Sequence, residues 1–224
     1  MSETVLAIVA HADDETLGCG GTLAAHAARG DAVHCLIVAD GVSSRQGEAR
    51  TDVLERDDAC ARAMQILGVN PPVRLAFPDQ RLDATPFLDI IQAIEAHIAT
   101  CAPTLVYTHH ADDLNNDHRV VAQAVLTALR PMPAQSVRSI YAFETLSATE
   151  WNFAAPAFRP SRFVDISETL EVKMAAIECY AAEMRDFPHT RSREGVRALA
   201  TLRGVNVGVA AAEAFVTLRQ IDRL

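Results

Sequence analysis

The feature that most constrains this chain is its steady alternation of short apolar runs with longer stretches of helical period. Residues 5–9 are apolar and strand-length, residues 22–28 are alanine-rich and stopped by Gly30, and residues 32–39 form a second apolar run. That order reads as a strand, helix, strand unit of a parallel sheet. A helix is expected from the region of Glu48 to Leu67, with Gly68 in the post-helical position, and a short strand over 73–77. The next helix is signposted by Thr85 as N-cap and Pro86 in the first turn, and Phe87, Ile90, Ile91, Ile94 and Ile98 share one face. A strand over 104–108, a helix from about Asp117 to Leu129 and a strand over 139–143 follow. Beyond an irregular stretch at 151–160, a helix is expected over 167–184, then a closing region of mixed helix and strand. The pattern predicts an α/β fold, a mostly parallel sheet with helices on both faces. With no repeat and no Gly/Ser linker, residues 1–224 read as one domain.

Charge and cysteine usage exclude several classes of function. A formal charge of −9 argues against nucleic acid, whose phosphates demand a concentrated basic surface. The first apolar run is too short for a secretory signal core, and no stretch approaches bilayer-spanning length, so no membrane anchor is expected and the cytoplasm is the default compartment. The five cysteines, Cys19, Cys35, Cys60, Cys101 and Cys179, are odd in number and never closely paired. They indicate neither a disulfide framework nor a thiolate zinc site and are read as small core residues. A homo-oligomer is compatible with the sequence, which leaves the oligomeric state open.

In open parallel sheets ligands bind where strands end and the following loops begin. The polar residues collect there: His11-Ala12-Asp13-Asp14-Glu15 after the first strand, then Asp40, Asp79, the stretch from His109 to His118, and Glu144 after the later ones. A borderline cation such as zinc prefers imidazole nitrogen and carboxylate oxygen, and His11, Asp14 and His118 supply that set. Iron(II) and cobalt(II) accept the same ligands. Asp13, beside a ligand, is the best general base, able to take a proton from water attacking a carbonyl carbon. Acids at a helix N-terminus need no metal by themselves. What favours a cation is the second Asp-His element waiting at the end of another strand, since clustered carboxylates are costly without one.

These residues resemble the PIG-L or LmbE-like deacetylases, whose opening signature is His-Pro-Asp-Asp-Glu followed by a glycine-rich turn. Here it stands as His11-Ala12-Asp13-Asp14-Glu15, then Gly18-Cys19-Gly20-Gly21, and the likeness continues through Arg56, Leu67-Gly68-Val69, Asp79 and Asn115-Asn116-Asp117-His118-Arg119, roughly the first two thirds of the chain. The resemblance implies a Rossmann-like fold and one divalent metal, usually zinc, on His11, Asp14 and His118, with Asp13 as base. It implies a small acetamido sugar or sugar conjugate as substrate, nucleotide-linked forms included, and places Arg56 and Asp79 near it. Ala12 replaces the usual proline and removes no ligand. Asn115 stands where many members have a histidine. It can donate a hydrogen bond to an oxyanion but cannot deliver a proton, so Asp13 would carry the proton to the leaving amine.

The segment from Arg185 to Arg203, with His189, Arg191, Arg193 and Arg197, is a local basic concentration in an acidic protein. It is readable either as a phosphate grip through His189 and Arg193 or as a solvated helix face paired with acids. His26, His34 and His97 read as structural or surface residues, whereas His109 and His110 lie at the active edge as second-layer candidates with Asp112 or Asp113. Two other functions keep the same residues: an amidase cleaving a larger acyl or thiol-sugar conjugate, and a metal-binding protein without catalysis. A nucleotide-binding domain using Gly18 to Gly21 and Asp40 fits less well, because Asp13, Asp14 and Glu15 would repel a pyrophosphate.

Overall fold

The computed structural model describes residues 2–41, 50–133 and 135–222. Thirteen elements build it. They are β1 (Thr4–Val9), α1 (Asp14–Ala28), β2 (Ala32–Ala39), α2 (Arg50–Leu67), β3 (Val73–Phe77), α3 (Phe87–Cys101), β4 (Leu105–His109), α4 (Asn116–Ala128), β5 (Ser139–Phe143), β6 (Arg162–Asp165), α5 (Leu170–Glu178), α6 (Arg193–Val205) and β7 (Ala212–Gln220). The expected start of α2 near Glu48 lies outside the described residues.

One seven-stranded sheet runs in the order β3-β2-β1-β4-β5-β7-β6. Its first five strands are parallel, with Val5 opposite Val33 and Leu105 in the two neighbours of β1. The apolar run of β1 is continuous because both of its faces are covered. Val5, Ala7 and Val9 pack toward Leu23 of α1 and Met64 of α2, while Leu6 and Ile8 pack toward Ile90 and Ile94 of α3 and Val121 of α4. Each such fully buried Leu or Ile contributes about 1.5–3 kcal/mol. The α/β expectation, with a mostly parallel sheet and helices on both faces, holds.

Strand order reverses at β1. The chain passes from β1 outward to β2 and β3, then returns to β4 on the other side, so a crevice opens beyond the carboxyl ends of β1 and β4. The C-terminal side is built differently: β7 is antiparallel to both β5 and β6 and needs no crossover helix between them.

Local chemistry explains the shifted boundaries. Thr85 does not cap α3; its hydroxyl donates to the Arg81 carbonyl and closes the short 3-10 turn before it, leaving Pro86 at the helix start. The helix expected over 167–184 shortens to α5 because Asp165 accepts from both the amide and the hydroxyl of Ser167, which ties that residue into a turn. Strand β6 lies on the sheet edge and is only four residues long, too short for its alternation to stand out in sequence. Cys19, Cys35 and Cys60 are buried, Cys101 and Cys179 are half-buried, and all five are free thiols.

Candidate active site

The segment leaving β1 reaches the crevice at His11 and turns into α1 through Asp13, whose φ of 124° is unusual for a residue with a side chain. Strain of this kind persists where the surroundings over-determine the backbone, and such places cluster at functional sites. Here the Asp14 carboxylate accepts from the His11 amide at 2.8 Å, and Glu15 accepts from the Asp13 amide at 3.1 Å. Three donor atoms converge. His11 Nδ1 is 3.3 Å from Asp14 Oδ2, and His118 Nε2, in the first turn of α4, is 3.3 Å from Asp14 Oδ1. All three residues are buried, and their donor atoms fall within 4.8 Å of one another.

Asp14 Oδ1 and His118 Nε2 are buried without a hydrogen-bond partner. A carboxylate oxygen facing an imidazole nitrogen, both orphaned, is costly unless a cation lies between them. The donor set of two imidazoles and one carboxylate therefore fits a divalent metal such as zinc. The outward nitrogens of both rings face carboxylates. His11 Nε2 is 3.0 Å from Asp79 Oδ1 and 3.1 Å from Asp117 Oδ2, and His118 Nδ1 is 3.2 Å from Asp113 Oδ1. Such partners fix ring orientation and raise basicity. They are anchored in turn. Asp117 accepts from the amides of Gln80 and Leu82, and Asp113 accepts from the Asn115 amide and the Thr149 hydroxyl.

Electrostatics follow from this crowding. Burial alone would discharge His118, but Asp14 and Asp113 outweigh it and lift its pKa to about 9. Burial likewise opposes the charge on His11, yet hydrogen bonds with Asp117, Asp14 and Asp79 raise its pKa well above the usual range. His109 behaves oppositely: burial and the neighbouring His118 press its pKa down to about 3. It stays neutral, accepts from the Ala10 amide at 2.9 Å and stacks on His118 with ring centroids 3.9 Å apart. Phe143 stands edge-on against His109, and Gly18 of α1 lies so close to Phe143 that a Cβ there would fall 2.2 Å from its ring.

Above the donors lies a cavity of about 150 Å³ whose lining, among the described residues, is polar and includes His11, Asp13, Arg56, Asp79, Asn115 and Arg191. Asp13, 3% exposed, pairs with Arg191 at 3.0 Å, and Arg191 is held from behind by the Ser147 hydroxyl at 2.6 Å. Burial pushes the Asp13 carboxyl above its ordinary range, and Arg191 works against that rise. Arg56 pairs with Glu183 at 3.2 Å and also donates to the Gly41 carbonyl. Asn115 caps α4, its Oδ1 accepting from the Asp117 amide at 2.9 Å, and the residue also lines the cavity.

Of the residues singled out in the sequence, His11, Asp13, Asp14, His118, Asn115, Arg56 and Asp79 are brought together here. Glu144, His189 and Arg193 are not. Glu144 sits at the carboxyl end of β5 but is drawn beneath α6 by both of its oxygens, at 2.7 and 2.6 Å from Arg203. His189 stands edge-on to Trp151 and accepts the Arg191 amide. Arg193 pairs with Glu178 on the surface. Arg197 pairs with Glu171 on the surface and Arg203 with Glu144, so these arginines and Arg193 fit the acid-paired reading, while Arg191 of the same segment faces Asp13 in the cavity. Sequence reasoning missed the roles of Asp117 and Arg191. Asp117 was detectable as an acid beside a candidate ligand, whereas the Arg191 contact to Asp13 spans 178 residues and leaves no local signal.

The molecule is an α/β protein with a mostly parallel sheet and, at its switch point, a buried His-Asp-His group that could hold a metal ion. Residues 6–129 match the PIG-L family, described as GlcNAc-PI de-N-acetylase. The chain is 33% identical over 180 residues to the uncharacterized deacetylase YaiS of Escherichia coli (strain K12), covering 78% of this chain and 88% of that relative. The chain therefore belongs to the PIG-L family of deacetylases. Among solved structures it resembles N,N'-diacetylchitobiose deacetylase from Pyrococcus horikoshii, with a TM-score of 0.79 and 20% identity over 97% of this chain and 84% of that one. It also resembles GalB, the 4-carboxy-2-hydroxymuconate hydratase of Pseudomonas putida KT2440, with a TM-score of 0.76 and 23% identity over 99% of both chains. At these identities the two structures speak to the shared fold alone, and a fold that hosts both a deacetylase and a hydratase does not by itself choose the reaction.

Proposed function

We propose that this protein is a metal-dependent hydrolase that removes the N-acetyl group from an acetamido sugar, with His11, Asp14 and His118 holding one divalent ion. Zinc is the preferred ion for this donor set, and iron(II) or cobalt(II) would also fit it. The single observation that carries the reading is the convergence of two buried imidazoles on the Asp14 carboxylate, whose Oδ1, facing His118, has no hydrogen-bond partner. Such an ion, when bound, supplies Lewis acidity, polarising the acetamide carbonyl and lowering the pKa of water beside it.

The chain's own residues do the rest. Asp13 accepts the proton released as water adds to the carbonyl carbon and returns it to nitrogen as the C–N bond breaks, so acetate and a free amine leave. Arg191 keeps that carboxylate anionic and aimed into the cavity. Asn115 donates a hydrogen bond to the developing oxyanion, a role its committed Oδ1 leaves open. The polar lining suits hydroxyls, for which Asp79 is an acceptor and Arg56 a donor. The two arginines that line the cavity among the described residues are already matched by acids, which favours a neutral sugar over a phosphate-bearing one.

The test is acetate release by zinc-replete protein from a panel of free, lipid-linked and nucleotide-linked acetamido sugars, with Asp13→Asn in parallel. The reading expects acetate and amine in equal amounts from at least one free sugar and none above background from Asp13→Asn. No acetate from any member of the panel, with zinc bound, would overturn it.

A further inference from the structure

Helix α1 is broken at Cys19, whose φ of −144° and ψ of 16° lie outside the helical region. In an unbroken helix the Leu17 carbonyl and the Gly21 amide would be partners. Here each has a charged side-chain partner. Lys173 of α5 donates from Nζ to the Leu17 carbonyl at 2.8 Å, and Glu213 of β7 accepts from the Gly21 amide at 3.0 Å and the Thr22 amide at 2.7 Å. The two side chains are themselves paired at 2.5 Å. Carbonyl, ammonium, carboxylate and amide thus form one continuous bridge across the break, and Thr169 adds a bond from its hydroxyl to the Gly21 carbonyl.

Lys173 is 3% and Glu213 5% exposed. A buried ion pair is weak evidence for stability, because well-packed apolar residues often do as well. Its polarity is informative, however. The acid meets the amide end of the second piece and the cation meets the carbonyl end of the first, the sense each piece's dipole favours. Beyond the break α1 is anchored in the core by Leu23 and Ala24. Before it lies the turn bearing Asp13 and Asp14, with its positive φ at Asp13. The angle between turn and anchored helix decides where Asp14 Oδ1 sits relative to His118.

We propose that Lys173 and Glu213 are a positioning pair, a polar splint across the break in α1 that sets the Asp13–Asp14 turn at the angle from which its donor atom meets His118. This rests on the reading of Asp14 and His118 as metal donors. Neither side chain touches the metal donors or lines the cavity above them.

The splint is tested by comparing Glu213→Gln and the charge swap K173E/E213K with Val125→Ala, a core truncation on the opposite sheet face. Three readouts are needed: thermal unfolding, zinc affinity against a competing chelator, and amide hydrogen exchange in the metal-free protein. Glu213→Gln is expected to weaken zinc at least tenfold and the swap at least as much, with faster exchange at Gly21 and Thr22. Val125→Ala, at a similar loss of melting temperature, should keep zinc affinity within twofold. Wild-type affinity in a folded Glu213→Gln protein, or an equal loss in Val125→Ala, overturns the proposal. Should neither pair variant fold, exchange in the wild-type protein decides: Gly21 and Thr22 protected as well as Leu23 support the splint, and unprotected amides there overturn it. Acetate release is not a readout, so a wrong substrate leaves this result standing. If wild-type protein binds no zinc, the proposed function fails and the exchange data alone judge the splint.

Discussion

The two ends of this molecule contribute to the site in different ways. The family-matched region, residues 6–129, covers four of the five parallel strands, β1 to β4, and contains His11, Asp14 and His118. The remainder supplies the antiparallel strands and reaches the site through long-range contacts: Arg191 to Asp13, Lys173 and Glu213 to the break in α1, and Tyr180 to Glu15 at 2.7 Å. The first region supplies the atoms proposed to hold the ion. The second determines how the base and the turn beside it are held.

Variants can break this division, and the largest effect belongs to the first region. Asp14→Asn should abolish stoichiometric zinc binding and lower kcat/KM by about 10³-fold or more, since it removes the atom shared with His118; metal analysis and acetate release check both. Next, Asp13→Asn should keep zinc and lose about 10²–10⁴-fold in kcat. Unchanged turnover there would assign the base elsewhere. From the second region, Arg191→Met should keep zinc within about twofold yet lower kcat by about 10–100-fold, with Arg191→Lys recovering part of it. Were Arg191→Met to lose zinc instead, the division between the two regions would be wrong.

A smaller effect comes from the opposite edge of the sheet. Burial would raise the Asp31 carboxyl, but bonds from the Glu3 amide, His26 and Arg29 outweigh it and bring its pKa to about 2. A carboxylate whose pKa falls on folding stabilises above its unfolded value of about 3.9, and that contribution is lost as pH drops toward the folded value. Thermal unfolding of Asp31→Asn should therefore lie a few degrees below wild type at neutral pH and converge with it near pH 2, while activity is untouched. Smallest of all, Arg193→Ala should leave kcat/KM within about twofold, because its partner is the surface carboxylate of Glu178.

What the sequence made legible was local. His11 and Asp14 are three residues apart at the end of an apolar run, His118 opens a helix after another, and the hydrophobic period places both on one sheet edge. Proximity to a strand end was not enough for Glu144, since what claims it is Arg203, 59 residues away in α6. Thr85 is not the cap because α3 starts at Phe87 with Pro86 in the cap position, and Thr85 donates its hydroxyl back to the Arg81 carbonyl. Strand β6 and the Lys173–Glu213 bridge depend on how distant segments pack, which no window of sequence contains.

The contact between Gly18 and Phe143 leaves residue 18 almost no tolerance for added bulk. A methyl group there would need the Phe143 ring to retreat, and behind that ring stand His109 and then His118 in direct contact. A single small substitution at residue 18 would thus press, through two ring contacts, on the imidazole of His118 as well as on the core packing around Phe143.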